Sequence, residues 1–136
     1  MSNQIRTLSP SSGKVIFEHP GASLEQVGQI AQAAEDAFRT YKLLPLAERK
    51  AIIVKALDII DANKETLAQE LTDQMGRPIS YTAGEIDTMR KRADYLLELA
   101  DESLKSVPGK AESGFRRYVK KEAVGPVLLA TAWNVG

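Results

Sequence analysis

The spacing of apolar residues along the chain changes from alternation to helical steps and back again. The runs QIRTL and KVIFEH are rich in β-branched and aromatic residues. Between them lie Ser9-Pro10-Ser11-Ser12-Gly13, in which Pro10 fixes φ and Gly13 tolerates a positive φ. This pattern predicts a hairpin over residues 1–20, ended by Pro20-Gly21. From Ser23 the step becomes three and four. Ser23 followed by Gln26 reads as a capping box, and Val27, Ile30, Ala31, Ala34, Phe38 and Tyr41 mark one face expected to be buried. Pro45 opens a second helix with the stripe Ile52, Ile53, Ala56, Leu57 and Ile60. Asn63 is placed to cap a third helix through Leu67, Leu71 and Met75, which Gly76 ends before Arg77-Pro78. The fourth and longest is expected over Thr82–Leu104, with Ile86, Met89, Ala93, Leu96, Leu97, Ala100 and Leu104 on its apolar face. Its polar face, with Asp87, Arg90, Lys91, Asp94 and Glu98, reads as solvated.

After Pro108-Gly109 the period shortens. The segment GFRRYVKKEAVG predicts an extended strand over 114–124. PVLLATAW, bounded by Gly125-Pro126 and Asn134, is nearly all apolar, as in a strand buried on both faces, and predicts a strand over 126–134. The expected class is therefore α/β: a hairpin (1–20), a helical segment (23–104) and one or two strands of an incomplete sheet. With no later element to pair with it, VLLATAW would expose an unpaired edge.

Composition narrows the chemistry. The 136 residues carry 18 Lys+Arg against 18 Asp+Glu, so no net field steers the chain to nucleic acid or to anionic lipid. The cluster Arg116, Arg117, Lys120, Lys121 reads as a solvated face rather than a phosphate site. There is no cysteine, which excludes disulfides, thiolate metal sites and thiol nucleophiles. The one histidine, His19, has no ligand partner at metal spacing and is expected at the surface. No apolar run is long enough to span a bilayer. The opening MSNQIRTLSPSSGK lacks a signal-peptide core, so a cytoplasmic location is expected.

Several motifs in order resemble the NAD(P)-dependent aldehyde dehydrogenase family. SPSSGKVI is similar to the family's opening Asn-Pro-Ala-Thr-Gly-Glu-Val-Ile, with Ser9 for Asn. AEDAFRTY followed by PLAERKAII is similar to its first two helices. LTDQMGRPISYTAGEI resembles its Glu-x-Gly-Lys/Arg-Pro stretch and the helix that begins near a Glu, here Glu85. RRYVKKEAVGPVLLATAWN resembles the strand pair that ends in Pro-Trp-Asn, with Ala132 for Pro and Val135-Gly136 for the aromatic-Pro. The resemblance spans essentially the whole chain but only the first quarter to third of a typical member. It implies an incomplete Rossmann-type domain.

In that family a cysteine thiolate attacks the aldehyde, hydride passes to the nicotinamide of NAD or NADP, and a glutamate-activated water hydrolyses the thioester. The resemblance implies that Asn134 is the side-chain donor of the oxyanion hole. It also implies that Thr131, Ala132 and Trp133 border the cofactor cleft at a strand's carboxyl end. The nucleophile, the general base and the cofactor's phosphate and ribose partners are expected beyond these residues. A truncated relative, inactive alone and holding no cofactor, is thus expected. Two other readings stay open: a partial sequence of an active enzyme, and a small helical module that binds a full-length relative. The resemblance implies subunit association by strand addition at 114–124, to a second copy or a relative. Nucleic acid and membrane are not expected partners.

Overall fold

The computed structural model describes residues 4–131. In chain order, two antiparallel strand pairs bracket four helices, an α/β arrangement with small, separate sheets. β1 (Gln4–Leu8) and β2 (Val15–Pro20) form the expected hairpin, with Gln4 opposite Pro20 and Thr7 opposite Phe17. A register shift between Thr7 and Leu8 brings Leu8 opposite Val15. Gly13 takes φ 67° in the turn. Its N–H donates to the Ser9 carbonyl at 2.8 Å, and the Ser9 N–H donates to the Lys14 carbonyl at 2.9 Å.

α1 (Leu24–Tyr41) starts on the capping box read from the sequence. The Gln26 N–H donates to Ser23 Oγ at 3.2 Å, and the Ser23 N–H donates to Gln26 Oε1 at 2.8 Å. Its apolar stripe is not buried as expected: Val27 is 51% and Ile30 64% exposed. Periodicity makes such a stripe available for burial, but burial needs an opposing surface. Among the described residues, no other element packs substantially on α1.

The core lies where α2 (Leu46–Ala62), α3 (Lys64–Met75) and α4 (Ile79–Ser103) meet. Leu57, Ala68 and Ile86 are its buried apolar members, joined by the fully buried Thr82. Thr82 Oγ1 donates to the Ile79 carbonyl at 3.1 Å and lies 3.4 Å from Thr72 Oγ1, so its burial leaves no hydroxyl unpaired. α4 begins at Ile79, earlier than the expected Thr82, because Pro78 occupies the N-cap, where a missing N–H removes no helical bond. Asn63 does not cap α3 with its side chain; Nδ2 instead donates backward to the Ile59 carbonyl at 2.7 Å. Gly76 ends α3 as expected, with φ 73° and its N–H donating to the Thr72 carbonyl at 2.8 Å.

The last third departs most from expectation. Within the expected 114–124 strand only β4 (Tyr118–Val119) is regular. It pairs with β3 (Val107–Pro108), which the sequence reading did not mark, with Val107 opposite Val119. Over 126–131, the described part of the expected 126–134 strand, no ladder forms, and Leu128 is 94% exposed. A strand buried on both faces exists only between neighbouring strands and covering helices, and the described residues supply neither at this place.

Candidate functional site

Of the residues implied by the resemblance, only Thr131 lies within the described residues, where it is the final one and is exposed; Ala132, Trp133 and Asn134 fall outside them. Thr131 therefore stands alone. With 126–131 exposed and unpaired, the described residues do not fit a dinucleotide cleft, and no step through a nicotinamide cofactor is derived from them. The sequence contains no thiol. Among the described residues no group of three His, Cys, Asp or Glu could hold a metal.

Several of the other polar groups make contacts that hold local structure. His19 lies on the hairpin and stacks on Phe17, with ring centroids 6.2 Å apart. The basic cluster of the last third is largely engaged. Arg117 pairs with Glu112, Lys120 Nζ lies 2.7 Å from Glu122 Oε1, Lys121 donates to the Ser103 carbonyl, and Arg116 lies over the Tyr118 ring. The hydrogen bond from Lys120 holds the Glu122 carboxyl below its usual range, and the same contact pushes the Lys120 ammonium up.

The polar face of α4 is largely solvated as expected, and its charges also tie three helices together. Arg90 Nη1 donates to Asp58 Oδ1 at 3.0 Å and to Asp61 Oδ2 at 2.6 Å, both on α2. Its Nε donates to Asp94 at 3.0 and 3.1 Å. These contacts, led by that with Asp94, push the guanidinium pKa further up. Lys64 of α3 reaches Asp87, and Lys50 of α2 reaches Asp101, each at 2.5 Å. The available signal was Asp58 and Asp61 at a three-residue step on α2, which places both carboxylates on one face.

Glu85 walls an apolar groove of about 390 Å³ formed by Ile60, Leu67, Leu71, Met75, Ile86 and Met89. Arg77 Nη1 approaches Glu85 Oε1 at 2.5 Å. The approach lacks hydrogen-bond alignment, and neither carboxylate oxygen accepts a hydrogen bond among the described residues. Glu85 thus anchors Arg77, just past the α3 cap, to α4 as an ion pair. Thr88, which lines a pocket with Glu85, donates its hydroxyl to the Gly84 carbonyl at 2.8 Å.

Comparison with known proteins supplies the context that this geometry lacks. The chain belongs to the aldehyde dehydrogenase family, whose model matches residues 1–136. The D-glyceraldehyde dehydrogenase (NADP(+)) of Thermoplasma acidophilum is 29% identical over 126 residues, which cover 93% of this chain and 26% of that protein. PnpE of Pseudomonas sp. WBC-3 has been solved in complex with nicotinamide adenine dinucleotide. It superposes with a TM-score of 0.77 at 28% identity, over 86% of this chain and 24% of its own. The succinic semialdehyde dehydrogenase of Streptococcus pyogenes, solved with NADP+, gives 0.71 at 25% identity over 80% and 24%. The chain therefore spans about a quarter of the length of its relatives. These relatives use NAD or NADP. Among the described residues no helix is long and apolar enough to cross a membrane.

Proposed function

We propose that these 136 residues form the amino-terminal quarter of an NAD(P)-dependent aldehyde dehydrogenase and do not oxidise aldehydes by themselves. One observation carries the reading: a family match over residues 1–136 in a sequence with no cysteine. The family's reaction runs through a sulfur-bound tetrahedral species, so a chain without a thiolate has nothing to form it. In a complete protein the contribution of this part is positional. Asn134, at the end of the 126–134 run, donates its side-chain amide to the oxygen that becomes negative, while Thr131, Ala132 and Trp133 border the cofactor. Residues 114–124 add to an edge strand of a second copy or of a full-length relative. The exposed Phe115 and Val119 and the short β4 support that role. A cytoplasmic location is part of the same proposal.

A graft tests the positional role. These residues replace the matching first quarter of the Thermoplasma acidophilum relative, and the chimera is assayed with NADP. The expected result is turnover that falls about 100- to 1000-fold in kcat on Asn134→Ala. A folded, active chimera indifferent to that substitution would remove Asn134 from the oxyanion site.

A further inference from the structure

We draw no further inference here: the strongest candidate, the apolar surface made by the exposed face of α1 around Val27 and Ile30 and by the exposed run 127–129, carries none because nothing in the structure shows what covers it.

Discussion

Pro10 in the hairpin turn lies so close to Gly76 at the end of α3 that a β-carbon on the glycine would come within 2.7 Å of the proline Cγ. This contact joins the hairpin to the helices at a residue whose φ of 73° already suits glycine. Gly76→Ala should therefore destabilise the chain by about 1–3 kcal/mol. Gly28→Ala, inside α1 with nothing near its added carbon, should stabilise by about 0.4–1 kcal/mol. Urea unfolding followed by circular dichroism compares the two signs.

The small helical core concentrates stability in few residues. Leu57 is buried between α2 and its neighbours, and Leu57→Ala should cost about 2–3 kcal/mol, near the lower end for such truncations because so little packs around it. Ile30→Ala, on the exposed face of α1, should change the same unfolding midpoint hardly at all. A large loss at Ile30 would mean that α1 is covered in solution.

Arg90 holds Asp58, Asp61 and Asp94 at once. Arg90→Met should lower the thermal midpoint, and added salt should narrow the gap from the parent chain, since exposed charges are screened within about 10 Å at 0.1 M. A gap unaffected by salt would place the residue's contribution in the packing of its aliphatic stem.

Lys120 and Glu122 set a pH window. The Glu122 carboxyl is held low by the Lys120 hydrogen bond, so the pair's contribution is present above the unfolded carboxyl value near ~4.3. It is lost as pH falls through the still lower folded value. The Lys120 ammonium is raised, so on the alkaline side the contribution holds up to ~10.4 and is lost as pH rises through the higher folded value. Both groups are exposed, so the effect on stability is small. Carboxyl carbon chemical shifts read it directly: in Lys120→Gln the Glu122 titration should move up toward the usual range.

What could be read in the sequence was local. The Ser23–Gln26 box, the positive φ of Gly13 and the stop at Gly76 depend on residues within a few positions, and each formed as read. The Pro78 start was misplaced because the same missing N–H that bars proline from a helix interior suits it to the N-cap. Features set by distant residues were not visible. Arg90 lies on α4 while Asp58 and Asp61 lie on α2, and β3 exists only because Tyr118–Val119 folds back onto Val107–Pro108. The run at 126–134 shows the same limit from the other side. Its composition suits an interior strand, but over 126–131 nothing pairs with it. Of the candidate site, only the motif carried by Thr131, Ala132, Trp133 and Asn134 was legible, and it rested on family resemblance rather than on neighbours in space.

The most direct test of the central claim is a steady-state assay of the purified 136-residue chain, with NAD and with NADP, across several aldehydes, following absorbance of the reduced cofactor. The expected result is a rate equal to that of buffer alone. Sustained production of NADH or NADPH by a preparation free of contaminating enzyme would show that a polypeptide without a thiol can carry out this oxidation, and would contradict the account.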